Sequence, residues 1–594
     1  MRMLRTVGIL LAASVGLMRG ADVTAPKAGP VELYPLANIK PGQMATAWTV
    51  FQGTEPESVP IEIVGVLKNG LGPKVDLILG KMLGKAKETN VAAGMSGSPV
   101  YIDGKLVGAV SLRMGAFSPD AVCGITPIQS MLEINALDQS RPSSVGTAAQ
   151  AASVGPGLQL VPIETPLMFS GVSGAALKAF EPQLRDMGIT PVQGGSAANT
   201  LSAKPVAGWQ SALAPGTAVS GILISGDISA TGMGTVTYND GKRVLAFGHP
   251  FYNLGPVDMP MAKAEVVMTF ASSYQPTKMG NTTDVVGALK QDRFTGIMGE
   301  LGAEAKTIPV HLKVRSLNAQ EKVEKEKDFQ FQVFVHQKYT PTLMMITILN
   351  SLQQMNELAD EMTYKMSGKV SLAGGRSIDV STILAPNETP QPPPMAMALW
   401  WGDKFNRLFA SSVAMPDLTS VDSVVDMLPD RRVATLDSAW APTTEVDAGS
   451  DLAVKVFLRP FRGARMEKPV TVKIPAGLPK GEHRILFSDA ATLNRLQNSA
   501  FAANRFLDIP ETVSLLNQER TNNKLYVSIV EGRATYYAED KQLPALPASV
   551  LNVLQTERTS TRSLPTVGET AIEQQAIPFD EAISGSYSLR IVVK

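Results

Sequence analysis

The chain has 594 residues, with 54 Lys and Arg against 54 Asp and Glu, so its net charge is zero. That balance removes the electrostatic attraction on which a nucleic-acid binder or a polybasic membrane binder relies, and 44% hydrophobic against 18% charged residues excludes a largely disordered chain. The single cysteine, Cys123, allows neither an intramolecular disulfide nor a thiolate metal cluster, so packed cores must hold the fold.

In chain order, Arg2 and Arg5 precede a mostly apolar run over residues 6–18. The run is shorter than the roughly 20 residues a membrane span needs, so residues 1–21 read as a secretory signal and predict an exported protein, periplasmic or extracellular, with no stable membrane insertion apart from that segment. Residues 36–137 show short apolar runs split by Gly and Pro, the pattern of antiparallel strands. Asp103 and Gly104 between two such runs predict a tight hairpin, and residues 127–134 a closing helix. Residues 138–157 lack periodicity and read as a linker or long loop.

Residues 158–215 predict an inserted α/β segment. Its helix starts at Ser173 as N-cap and carries Leu177, Phe180, Leu184 and Met187 on one face before Gly188. Residues 216–385 return to strands, at 219–225, 234–238, 243–247, 308–314 and 329–335, with a helical apolar stripe of Met345, Leu349, Leu352 and Met355 following. The proline-rich run at 390–394 reads as a stiff extended linker. Residues 395–594 alternate apolar and polar positions at 452–458 and 470–474, as half-buried sandwich strands do, and predict a β-rich accessory region.

Chemistry concentrates in two segments. Gly94, Met95, Ser96, Gly97, Ser98 and Pro99 stand just before the Asp103 hairpin. A serine attacks a carbonyl from a tight turn whose backbone N–H groups converge on the developing oxyanion, and the flanking glycines permit that backbone, with Gly94 and Ser96 as the oxyanion donors. Taken alone the segment is also an ordinary strand connection. The second segment ends a strand pair in Ala246, Phe247, Gly248, His249 and Pro250. A strand end holds a general base rigidly, and His249 is the base that Ser96 needs. His311, His336 and His483 sit in strand-like runs without metal-ligand spacing.

These segments resemble the SpoIVB-type serine peptidases and the two halves of a chymotrypsin-like double barrel. The likeness rests on the Gly94–Pro99 turn, the hairpin after it, Gly124, Ile125, Thr126 and Pro127, and the strand pair ending at His249. It covers about a third of the chain. It implies a mainly β fold with some helices (α+β): a chymotrypsin-like double β-barrel core plus a C-terminal sandwich-like module. It also implies a peptidase in which His249 takes the Ser96 proton, with a protein or peptide substrate and no metal or organic cofactor. Ser96 precedes His249, the reverse of the family's order, Met95 stands where chymotrypsin-like proteases carry Asp, and Pro250 follows the histidine. The triad acid is open among Asp292, favoured by its separation from His249, Asp258 and Asp76. A non-catalytic envelope scaffold that binds peptides on the same barrel is the alternative. No motif bears on the oligomeric state.

Overall fold

The computed structural model describes residues 24–115, 117–142, 152–155, 158–194, 202–355, 361–386, 391–501, 507–532, 534–538, 541–544, 546–556, 564, 566–567 and 569–594. The signal read at 1–21 and most of the linker read at 138–157 lie outside these residues. The protein is mostly β, 49% strand against 17% helix.

The first body holds β1 (Met44–Thr49), β2 (Glu57–Gly72), β3 (Val75–Met82), β4 (Pro99–Ile102), β5 (Lys105–Met114) and β6 (Val122–Pro127). Their order, β1-β2-β3-β6-β5-β4, returns to β1 through the antiparallel pairs Thr46–Tyr101 and Ala47–Val100, so the six strands close into a barrel. Closure removes the exposed edges an open sheet would leave. Alternate positions of β2, Val59, Ile61 and Ile63, point inward onto Ile78, Val100, Val110 and Ile125. The β4–β5 turn has both Asp103 and Gly104 at positive φ, the backbone an Asp-Gly hairpin supplies. The short helix Ile128–Leu132 follows β6.

Beyond the barrel come β7 (Ala152–Gly155), β8 (Leu158–Pro162), β9 (Leu167–Ser170) and β10 (Pro191–Gln193). The helix Gly174–Asp186 lies between β9 and β10, with the Ser173 hydroxyl accepting from the Ala176 amide as a true N-cap. The segment read as one insert therefore divides: β8 adds to β5 and β9 to β12 of the next sheet.

The second body contains β11 (Ala218–Gly226), β12 (Ser229–Asn239), β13 (Arg243–Ala246), β14 (Gly255–Phe270), β15 (Thr277–Arg293) and β16 (Gly296–Leu301). The order β12-β13-β16-β15-β14-β11 also returns on itself through a β11–β12 pairing. The sheet then runs on from β11 through β17 (Thr307–Leu317), β18 (Val323–Phe334), β19 (Thr363–Leu372), β20 (Ser377–Leu384) and β21 (Leu418–Leu428), in the order β18-β17-β21-β19-β20.

Of the proline run read as a linker at 390–394, Pro390 lies outside the described residues and Pro392–Pro394 form a helix start, Pro392 being the N-cap. Pro393 and Pro394 occupy the first turn of the helix Pro393–Phe409, where a missing N–H costs nothing. Met397, Trp401, Phe405 and Leu408 of that helix join the core formed by the helix Thr340–Gln353. This body therefore continues to Leu428, past the boundary read at residue 395. From Val433 onward two sheets face each other, one centred on the pair Val433–Trp440 and Asp451–Pro460, the other on Gly481–Ser488 between Lys524–Glu531 and Ser586–Val593. Val454, Val456, Phe487, Val527 and Ile591 share one core, so the module is a sandwich.

The two barrel bodies meet at the turn carrying residues 93–98. A β-carbon on Gly97, whose φ is +94°, would overlap the Thr235 carbonyl oxygen and crowd the Phe247 amide. Gly97→Ala should therefore lower stability by about 2–5 kcal/mol, an overpacking cost of about 1–3 kcal/mol added to about 1–2 kcal/mol for the left-handed backbone, measured by denaturant unfolding, whereas Gly104→Ala, in open space at φ +75°, should bear only the backbone cost.

Candidate active site

The turn is pinned through its carbonyls. Thr235, on β12, donates its amide to the Ser96 carbonyl (2.8 Å) and its hydroxyl to the Gly94 carbonyl (2.8 Å), while the Thr237 hydroxyl donates to the Gly97 carbonyl (2.8 Å). Three amides are used within the turn or barrel: Met95 donates to the Ala92 carbonyl (2.9 Å), Gly97 to Val110 (2.8 Å) and Ser98 to Met95 (3.0 Å). The amides of Gly94 and Ser96, on either side of Met95, meet no acceptor among the described residues. Two N–H groups left free on one turn are the donor pair an oxyanion needs.

The two serines differ. Ser98 gives its hydroxyl to the Met95 carbonyl (2.6 Å), whereas the Ser96 Oγ, in a residue 0% exposed, has no hydrogen-bond partner. A buried hydroxyl without a partner carries a desolvation cost of a few kcal/mol, which sets it apart from ordinary packing.

His249 stands at the other side of the seam. β13 pairs with β12 (Val236–Ala246) and the Phe247 amide reaches the Thr235 carbonyl at 3.3 Å, so the strand that receives the serine turn also places the histidine segment. The Thr126 hydroxyl, on β6 of the first barrel, donates to the Gly248 carbonyl (2.7 Å) and locks that segment across the interface. The His249 ring is 4% exposed, meets the Phe247 ring edge-on at 6.0 Å, and has Nδ1 2.7 Å from the Pro250 carbonyl oxygen. A carbonyl can only accept, so Nδ1 carries the hydrogen and Nε2 keeps its lone pair, the tautomer a general base requires. Nε2 is buried without a partner, and it does not bond Ser96 Oγ here. Burial pushes the imidazole pKa down to about 4, against a smaller upward pull from the Pro250 carbonyl.

The acids stand elsewhere. Asp292 lies on β15, not on a loop, and its carboxylate accepts from the amides of Phe251 (2.7 Å), Tyr252 (2.8 Å) and Leu254 (3.0 Å). It clamps the chain immediately after Pro250 and so positions the carbonyl that orients His249, instead of touching the ring. Burial raises its pKa to about 6, opposed by those amides. Asp258, on β14, pairs with Lys290 and accepts from the Lys306 amide (2.8 Å). Asp76, on β3, accepts from the Asn69 amide (2.8 Å) and pairs with Lys68 at 3.5 Å. The orienting contact of His249 is therefore a backbone carbonyl, and the separation that favoured Asp292 reflected the β13-to-β15 spacing of the sheet. Sequence reasoning also missed Thr235 and Thr237, whose β-branched run reads simply as strand.

The remaining histidines lie away from this seam: His311 pairs with Asp328 at 3.1 Å, and His483 Nε2 meets the Pro479 carbonyl at 2.7 Å. Among the described residues no group of three or more His, Cys, Asp or Glu is placed to hold a metal ion, and no helix is long and apolar enough to cross a membrane. Cys123 is buried, its thiol pushed up to about 12. A cavity of about 950 Å³ borders Tyr252, Asn253 and Leu254, but neither Ser96 nor His249 lines it.

Asp292→Asn would turn an amide N–H toward backbone N–H groups and should lower stability by about 1–3 kcal/mol, while Asp258→Asn, at a partly exposed ion pair, should cost less than about 1 kcal/mol. Denaturant unfolding separates the two.

The His249 pKa of about 4 lies below the ordinary 6.5, so the unfolded chain takes up a proton that the folded one refuses. This contribution is complete above pH 6.5 and is lost as pH falls toward 4. His336, also lowered to about 4 by burial, acts in the same direction. Unfolding free energies between pH 7 and 4 should therefore fall more steeply for the native chain than for His249→Phe, in which His336 still lowers stability with falling pH and Asp292, raised to about 6, opposes it.

No protein-family model matches this chain, and neither a curated protein nor a solved structure matches it significantly.

Proposed function

We propose that this protein is an exported serine endopeptidase of SpoIVB type, built on a chymotrypsin-like pair of barrels, that cleaves peptide bonds through Ser96 and His249. The observation that carries the reading is that four polar groups on the segments that meet at this interface, Ser96 Oγ, His249 Nε2 and the amides of Gly94 and Ser96, have no hydrogen-bond partner among the described residues.

The chemistry follows from what each group can donate or accept. As Ser96 Oγ bonds to the scissile carbonyl carbon, its proton passes to His249 Nε2, and the carbonyl oxygen takes the negative charge facing the two free amides. The imidazolium returns the proton to the leaving nitrogen as the C–N bond breaks, leaving an ester on Ser96 that water hydrolyses by the same route. The Pro250 carbonyl keeps Nδ1–H in place throughout, the orienting role an acid fills in a Ser-His-Asp triad. No metal or organic cofactor enters these steps.

One observation favours a second reading. Ser96 is wholly buried and unbonded to His249, as in a barrel kept as a non-catalytic, peptide-binding scaffold. Covalent labelling distinguishes the two. A fluorophosphonate should modify Ser96 of the folded protein, Ser96→Ala should abolish the labelling, and Ser98→Ala should leave it within about threefold. On the acid side the labelling rate should rise through an apparent pKa near 4, well below the neutral range expected of an exposed histidine. A folded protein that never labels at Ser96 would leave the scaffold reading.

A further inference from the structure

The first residues of the turn that carries Ser96, Ala93 and Gly94, are contacted by a part of the second body. Strands β14 and β15 outrun their barrel, and the arch joining them reaches across to the first barrel. Val266 and Gly53 exchange two backbone hydrogen bonds (2.7 and 2.9 Å), and the Phe117 amide donates to the Ser273 carbonyl (2.6 Å). The Ala93 amide donates to Pro276 (2.8 Å) and the Lys278 amide to Ala93 (2.9 Å), so residues 276–278 form a short strand against the residue preceding Gly94. The outer side of the arch leaves Val267, Met268, Phe270 and Tyr274 exposed.

Lys278 is the anomaly in this contact. Its side chain is 2% exposed, and its Cβ and Cδ lie 3.2 Å from where a β-carbon on Gly94 would stand. Its ammonium makes one hydrogen bond, to the Thr49 hydroxyl at 2.7 Å. The elements packed on it, the serine turn, β1 and β14, present Gly94, Thr49 and, as its register partner, Thr269, none of them charged. A buried ammonium without a counter-charge is costly, and the cost is relieved by moving it into water.

We propose that the arch of β14 and β15 is a flap over the Ser96 turn, closed by Lys278 against Gly94, and that its opening admits a polypeptide to the nucleophile. The inference rests on the peptidase reading for its purpose but not for its test. It explains why Ser96 is fully buried, since a closed flap and a reactive serine belong to successive states. The direction of its pH dependence follows from Lys278. With the flap shut, burial lowers the amine to about 7 from the ordinary 10.5, so a proton taken up below pH 10.5 favours the open form. Opening should therefore grow about tenfold for each unit of pH lost between 10.5 and 7, and level off below 7.

Two variants test this. Lys278→Met keeps an unbranched side chain one atom shorter and without its charge, and should hold the flap shut. At pH 7, hydrogen–deuterium exchange of the Lys278 and Val266 amides should slow at least tenfold relative to the native chain, and the decline of fluorophosphonate labelling above pH 7 should disappear. The double variant Gly53→Cys with Val266→Cys spans a hydrogen-bonded antiparallel pair, a separation suited to a disulfide, and the buried Cys123 leaves the pairing unambiguous; Gly53 stands at φ +75°, so the reduced double variant, which bears the same backbone strain, is the reference. Once oxidised it should label at Ser96 at least tenfold more slowly, and reduction should restore the rate. Unchanged exchange in Lys278→Met, or labelling equally fast in the oxidised and reduced double variant, overturns the flap while leaving the peptidase reading in place. Exchange that slows as expected in a protein that never labels at Ser96 supports the flap and removes the peptidase.

Discussion

The seating of the 93–98 turn on β12 is the contact on which the rest depends. Thr235 and Thr237 take up the carbonyls of Gly94, Ser96 and Gly97, and the absence of a side chain at Gly97 lets the Thr235 carbonyl and the Phe247 amide approach it directly. A turn held by its carbonyls has its orientation set while some amides stay free, so the same bonds that join the two bodies prepare the Gly94 and Ser96 N–H groups. Because Thr235 also meets the Phe247 amide, the strand that receives the serine turn places the histidine segment as well. Neither half of the site has a position independent of this interface.

Around that interface the polar groups divide in an informative way. Backbone carbonyls and the Ser98, Thr126, Thr235 and Thr237 hydroxyls are satisfied, at 2.6–2.8 Å for the hydroxyl donors. Ser96 Oγ and His249 Nε2 are buried and unsatisfied. Single orphan hydroxyls occur elsewhere in the chain, at Ser220 and Thr282 for example, and carry no such meaning. What distinguishes this site is that a serine hydroxyl, an imidazole nitrogen with its lone pair free and two backbone amides of one interface are all without a partner among the described residues, an arrangement that costs stability.

Carboxylate placement shows how a backbone group takes over an orienting role. Asp292 uses both oxygens on amides of the segment after Pro250, so its effect reaches His249 through the chain and not across a hydrogen bond. A carboxylate spent on amides is unavailable to an imidazole, and the Pro250 carbonyl, adjacent in sequence, needs no long-range partner to be in reach. The C-terminal sandwich stands apart from these events, since its core draws on residues 434–593 alone.

Much of this was legible from residue order. Strand alternation located most of the first barrel, the Asp103-Gly104 pair its hairpin, and Ser173 the cap of the helix Gly174–Asp186, because each of these signals is local: a period, a turn propensity, a donor beside its acceptor; the glycine-flanked Ser96 and the strand-terminal His249 were singled out as candidates on signals of the same local kind. Other features were not. The long strands Gly255–Phe270 and Thr277–Arg293 went unread because glycines, prolines and bulges interrupt their alternation, and with them went the true setting of Asp258 and Asp292. The proline run near 390 looked like a linker because its helix is stabilised by Trp401 and Phe405 packing on a distant helix. By itself the sequence determined which residues carry reactive groups and what backbone each turn allows. Tertiary structure alone decided which of those groups lose their partners on burial and what contacts Gly94, because each depends on atoms far apart in sequence meeting at one seam.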